Sequence, residues 1–238
     1  MKPTIVIILM ALVLHACGPL HNVQKVESQI PGIGSIGAYR SGLFKKDIQK
    51  VGEPVLDRPI SVSIQSIGIS PSIKAKYAKY LEAQAQEPMV EFQDSTAAQP
   101  RYYQMQITDI VGMTTQLNNE ANTTVRQYIQ DDQGLQLLTS VSFMVDKQTE
   151  SKLKAMDQYY LYSQNGALVL KIGRGSGTEE IKMASLQTFD FETSGFCWKR
   201  NKRGHVEIAH ILMDGKSCPG ETESNPNKFD PILDYSKL

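Results

Sequence analysis

Residues 102–111 read Tyr-Tyr-Gln-Met-Gln-Ile-Thr-Asp-Ile-Val. Tyr103, Met105 and Ile107 alternate with Gln104, Gln106 and Thr108. Strand side chains point alternately to the two faces, so this period predicts a half-buried strand. The same period recurs downstream, where Leu135, Leu137, Val141, Phe143 and Val145 fall on one face. Upstream, Val62 and Ile64 share one face while Ile67 and Ile69 share the other. That phase slip near Gln65-Ser66 predicts either a bulge or a strand covered on both faces. Asn165-Gly166 lies between two apolar runs and predicts a type I′ hairpin, because both residues tolerate positive φ. Ile181, Met183, Phe189 and Phe191 mark a further strand, and residues 196–199 and 204–213 predict a last hairpin through Asn201-Lys202-Arg203-Gly204.

Helical period enters twice. Ser70-Pro71 reads as N-cap and first helical residue. Ile73, Tyr77, Tyr80 and Leu81 then predict a helix over 72–86, stopped by Pro88. Leu117, Ala121, Val125, Tyr128 and Ile129 predict a second helix over 115–130, ended near Gly134. Residues 152–159 fit either a short helix or a strand. The expected class is α+β, a largely antiparallel sheet with two helices packed on one face.

The chain has 238 residues, enough to bury a core without staples. It carries 25 basic and 25 acidic side chains, and a formal charge of zero argues against binding driven by neutralising nucleic-acid phosphates. Its many Ile, Val, Leu and aromatic residues exclude wholesale disorder.

The N-terminus reads Met-Lys-Pro-Thr followed by an unbroken apolar run from Ile5 to Leu14. That run is about half of the roughly 20 residues a membrane-spanning helix needs. A charged start, a short apolar stretch and a small residue before a cut read as a processing segment. Leu14-His15-Ala16-Cys17 resembles the lipobox of bacterial lipoproteins, with Leu14, Ala16 and Cys17 matching and His15 departing from the usual small or hydroxyl residue. The resemblance covers the leader only. It implies removal of residues 1–16, an acylated Cys17, and attachment to a membrane through that lipid. The expected location is the bacterial cell envelope, at the outer membrane, on the periplasmic side rather than the cell surface. Residues 17–59 then read as lipidated N-terminus and tether, containing the glycine-rich Pro31-Gly32-Ile33-Gly34-Ser35-Ile36-Gly37, although Ile33, Ile36, Leu43 and Phe44 are apolar enough to pack. Residues 60–218 read as a single domain, and 219–238, polar with three prolines, as an irregular tail.

With Cys17 assigned to lipid, Cys197 and Cys218 remain in an exported chain and are expected to form one disulfide. No CxxC and no Cys/His quartet accompanies them, so a metal is not expected. His205, Glu207 and His210 stand close in sequence, but an odd spacing in a regular strand sends His205 and His210 to opposite faces. Gly173-Arg174-Gly175-Ser176-Gly177 lacks the Lys-Ser/Thr ending of a phosphate loop and reads as a hairpin turn. Asp131-Asp132 and Glu179-Glu180 read as solvated turn and strand-edge pairs. Asn122-Thr123-Thr124 matches a glycosylation sequon inside a predicted helix. Asp94-Ser95-Thr96 is similar to a short O-glycosylation pattern of exported proteins of one bacterial phylum, but a stretch of three residues reads as a plain loop.

Lys199, Arg200, Lys202 and Arg203, beside Trp198, form the densest basic cluster and are a candidate patch for an anionic partner. No nucleophile elbow occurs, and no catalytic residue, metal or cofactor is expected. The reading is a non-enzymatic, lipid-anchored accessory or scaffold subunit that binds another envelope component. Its partners are the membrane and an envelope protein, with no nucleic acid. An envelope-anchored hydrolase and a small-ligand or glycan-binding module are the alternatives.

Overall fold

Strand β5 (Leu135–Met144) is the hub of the molecule, and all but two of its ten residues are buried. It is covered on both faces and paired along both edges, which is why its sequence is apolar beyond simple alternation. A computed structural model describes residues 30–41, 46–90, 100–215 and 217–229. Along one edge β5 pairs with β9 (Gln187–Ser194). Along the other, its C-terminal half pairs with β4 (Arg101–Ile107) and its first residues pair with β1 (Ile36–Ser41). Leu137 has partners on both sides, Ile36 and Ser194, and so does Val141, with Met105 and Phe191.

From β1 the sheet continues to β2 (Lys46–Gly52). From β4 it continues through β3 (Ile60–Gly68), β6 (Gln158–Gln164), β7 (Ala167–Arg174) and β8 (Gly177–Ile181). All these pairings are antiparallel, in a nine-stranded sheet. A separate two-stranded sheet joins β10 (Phe196–Arg200) to β11 (Val206–Ile211). The protein is therefore α+β with a largely antiparallel sheet.

β3 resolves the phase slip without a bulge. It pairs with β4 in unbroken register from Val62 to Gly68. Val62 and Ile64 face the larger core, and Ile67 packs into a second cluster with Tyr77, Tyr102, Met144 and Phe189. Adjacent residues Tyr102 and Tyr103 belong to different clusters, as neighbours on a strand must when both faces are covered. The predicted hairpin has the expected turn: Gln164 pairs with Ala167, and Asn165 and Gly166 have φ of 51° and 78°.

Helical cover is provided by four α-helices among the described residues. Helix α1 (Pro71–Gln84) begins where the sequence indicates, with the Ser70 hydroxyl accepting from the Ile73 amide, and it places Tyr77 in the second cluster. The helix expected over 115–130 starts earlier and is interrupted. Asp109 caps α2 (Ile110–Asn118), a single 3-10 turn spans Glu120–Asn122, and α3 (Thr123–Asp131) follows. Met113, Leu117 and Ile129 carry this unit into the larger core. The ambiguous stretch divides: α4 (Lys147–Ala155), capped by Asp146, ends before β6 begins.

The chain ends differ most from the sequence reading. The described part of the expected tether is packed into the domain: the glycine-rich stretch leads into β1, and Ile33, Ile36, Ile48 and Leu56 are all core residues. Two of its glycines serve closeness rather than looseness. Gly34 adopts φ of 87° against Leu168, and a Cβ at Gly37 would lie 2.5 Å from Ile48. At the other end, Trp198 exchanges both backbone hydrogen bonds with Glu223, at 2.8 and 3.0 Å, and Pro226 is buried, so the packed chain continues past Cys218. The disulfide between Cys197 and Cys218 is present, with Cα atoms 5.6 Å apart. Residues 1–17 with Cys17, Leu43, Phe44, Asp94-Ser95-Thr96 and residues 230–238 lie outside the described residues.

Candidate functional site

A cleft of about 1000 Å³ opens where four parts of the fold meet. These are residues 30–33 leading into β1, the end of β2, the segment after α1, and the β7–β9 region. Its apolar wall comes from side chains already committed to the core, including Ile33, Val141, Leu168 and Leu186. Open pockets that combine apolar walls with a few placed polar groups are the usual form of binding sites.

Two polar constructions shape it. The first is Glu53, just past β2. One carboxylate oxygen accepts the Leu168 amide at 2.8 Å, and the other accepts the Ser35 hydroxyl at 3.4 Å and is paired with Lys50. This ties the β2–β3 connection across the start of β7. The second is Gln187, the first residue of β9. Its Oε1 accepts from the Tyr77 hydroxyl and from the Met89 amide, while its Nε2 donates to the Glu87 carbonyl at 2.9 Å and to Gln86 at 3.3 Å. Gln187 thus pins the chain after α1 against β9. Burial pushes the Tyr77 hydroxyl up from its ordinary pKa, partly opposed by the Met89 amide that donates to it. Burial also raises Tyr80, which lines the cleft. At the rim, Glu180 accepts from the Tyr162 hydroxyl, and desolvation followed by this carboxylate pushes Tyr162 up to about 12. The Tyr77, Tyr80 and Tyr162 hydroxyls donate to Gln187, Gln86 and Glu180 respectively.

Replacing Gln187 by leucine leaves the Met89 amide and the Glu87 carbonyl without this partner. Met89 and Glu87 are exposed and the Met89 amide keeps the Tyr77 hydroxyl, so the main cost is the buried Tyr77 hydroxyl losing its Gln187 acceptor. The expected loss is about 2 kcal/mol, since one abandoned buried group costs roughly 1–3 kcal/mol. Denaturant midpoints of the two proteins measure it. An unchanged midpoint would show that solvent replaces the clamp without cost.

The basic cluster lies elsewhere, on the β10–β11 hairpin. Lys199, Arg200, Lys202 and Arg203 are all exposed, whereas Trp198 beside them is buried. Lys199 pairs with Glu207 at 3.3 Å. The four cations lie at the turn end of one hairpin, with Lys199 and Arg200 at successive strand positions, and none of them lines the cleft. The hairpin contains one irregularity: the register shifts between Cys197 and Trp198, leaving Ala209 unpaired. Ile208 and Ile211, three apart, are consequently both buried, so the alternation assumed for His205 and His210 does not run through the strand. Both histidines are exposed, and no group of three or more His, Cys, Asp or Glu residues converges among the described residues.

Other sequence candidates fall into structural places. Gly175-Ser176 is the turn between β7 and β8, where Arg174 pairs with Gly177. Glu179 pairs with Lys152 at 2.7 Å. Asn122 of the sequon is fully buried and hydrogen-bonded through its side chain. Sequence reasoning missed Glu53, Gln187 and Tyr80. Their neighbours in the cleft are more than 60 positions away in several cases, for example Glu53 to Leu168, and no local pattern marks such a contact.

No family model, no curated protein and no solved structure matches this chain.

Proposed function

We propose that this protein is a lipid-anchored bacterial envelope protein that works by binding another envelope component, as an accessory or scaffold subunit, through the cleft beside Glu53 and Gln187. The observation that carries the binding role is the cleft itself, a large open cavity with apolar walls and fixed polar groups. The anchor is supported by Leu14-His15-Ala16-Cys17. Export is supported by the Cys197–Cys218 disulfide, a bond that persists in oxidising compartments. Among the described residues no helix is long and apolar enough to cross a membrane.

The test is photocrosslinking in intact cells from a reactive residue at Lys182, on the cleft, with Gln127 on α3 as control. A reproducible protein partner captured from Lys182 and not from Gln127 is the expected outcome. Failure to recover one from the cleft position would sink the subunit reading. The size of the cleft favours one second reading, a module for a small ligand or glycan, because about 300–1,000 Å³ is the range of small-molecule sites. A bound small molecule detected by native mass spectrometry of the purified protein, with no crosslinked partner, selects it.

A further inference from the structure

We propose that the turn of the β10–β11 hairpin rests on an anionic phospholipid surface when the protein is anchored. The proposal depends on the anchor reading for its geometry, and on the hairpin for its chemistry.

Four cations, Lys199, Arg200, Lys202 and Arg203, occupy five positions, and all are exposed. Lys199 is neutralised by Glu207. Arg200, Lys202 and Arg203 have no ion-pair partner among the described residues. The turn that carries them is held in one shape. The Asn201 side chain accepts from the Arg203 and His205 amides, each at 3.0 Å, and donates to Glu207 at 3.1 Å. The Asn201 amide donates to the His205 carbonyl at 2.9 Å. The root of the hairpin is equally fixed, by buried Trp198, by its two bonds to Glu223 and by the Cys197–Cys218 disulfide. Three charges with no ion-pair partner among the described residues are therefore presented on a turn whose backbone is held by these bonds.

The attraction must be local, because the whole chain balances 25 basic against 25 acidic groups. Each cation close to an anionic leaflet raises the contact population about fivefold, so three raise it on the order of a hundredfold. That would be too weak to recruit a free protein. It suffices for one already held nearby: the 13 residues from Cys17 to Ile30 reach at most about 43 Å when extended, and tethering turns a second contact into an intramolecular one.

The test uses the full acylated protein in vesicles of phosphatidylcholine, alone or mixed with phosphatidylglycerol. An amine-reactive reagent labels exposed lysines, and mass spectrometry reads the labelling rate of Lys202 against Lys79 on α1. Lys202 is expected to react at least about tenfold more slowly on the phosphatidylglycerol vesicles, with Lys79 unchanged. Salt at about 1 M, where the Debye length is about 3 Å, should restore the rate. In R200Q/R203Q, whose altered side chains are exposed, the protection of Lys202 should shrink to a few-fold. Equal Lys202 labelling on both vesicle types overturns the proposal, and so does protection that appears only when another envelope macromolecule is added. Intact mass separates the two readings: an unacylated Cys17 defeats the anchor and this proposal together, whereas an acylated Cys17 with unprotected Lys202 defeats this proposal alone.

Discussion

Replacing Asn122 by alanine is expected to cost about 3 kcal/mol, because its buried side chain bonds both backbone groups of Val55. Asn122 is fully buried, and its amide behaves as a piece of strand. Its Oδ1 accepts the Val55 amide at 2.7 Å, and its Nδ2 donates to the Val55 carbonyl at 2.7 Å and to the Gln116 carbonyl at 2.9 Å. Alanine would leave the Val55 amide and carbonyl without these bonds, at roughly 1–3 kcal/mol each before relaxation or water entry, while the Gln116 carbonyl keeps the Asn119 amide at 3.0 Å. Aspartate tests the mechanism. It keeps the acceptor and loses both donor bonds, so N122D should be destabilised nearly as much despite its similar volume. Urea unfolding with an unchanged slope would measure both, and a loss under about 1 kcal/mol in N122A would refute the account.

The reason for so large an effect lies in how α2 and the following turn hold the domain. Three side-chain amides act in the same way at neighbouring positions. Gln116 accepts the Asp57 amide at 2.7 Å, next to the Asn122–Val55 pair. Asn118 accepts the Ile208 amide at 3.0 Å and donates to the Ile208 carbonyl at 2.7 Å. These residues satisfy backbone groups of two extended segments, one leading into β3 and one in β11, which pairs with β10 through Trp198–Ile208. The interruption between α2 and α3 is what lets Asn122 reach Val55.

The second large effect is loss of the disulfide. Cys197 and Cys218 close a loop of separation 21, and the chain-entropy model assigns such a link about 3 kcal/mol. The double variant C197A/C218A is expected to lose that amount, and the loss should begin at the C-terminal end. The segment carrying Glu223, with its Lys228 pair at 2.6 Å, is held to β10 by the Trp198 bridge and the disulfide. Hydrogen exchange at the Trp198 and Glu223 amides should quicken before that of β5. Equal protection of both regions in the variant would show that packing of Pro226 and Phe229 holds the segment without the covalent bond.

Much of the sheet could be read directly. Tyr103, Met105 and Ile107 are buried as their alternation requires, Asn165-Gly166 makes its turn, and Ser70-Pro71 opens its helix. Each rests on neighbours within a few positions, where backbone sterics and side-chain period act. Where a competing long-range partner exists, the local reading gives way. The apolar period over 115–130 promises one helix, yet Asn122 turns to Val55. The glycines of 31–37 promise looseness, yet they let β1 lie close on β2 and Leu168.

By itself, then, the chain determines its class, its main strands and the chemistry of the basic hairpin. All are expressed in local period, turn chemistry and charge. Only the tertiary structure decides the cleft. Glu53, Tyr80, Leu168 and Gln187 meet there because β1, β4 and β9 converge on β5, and β6–β8 extend from that hub. Which strands share an edge depends on the summed burial of the whole core, and no stretch of residues carries that information alone.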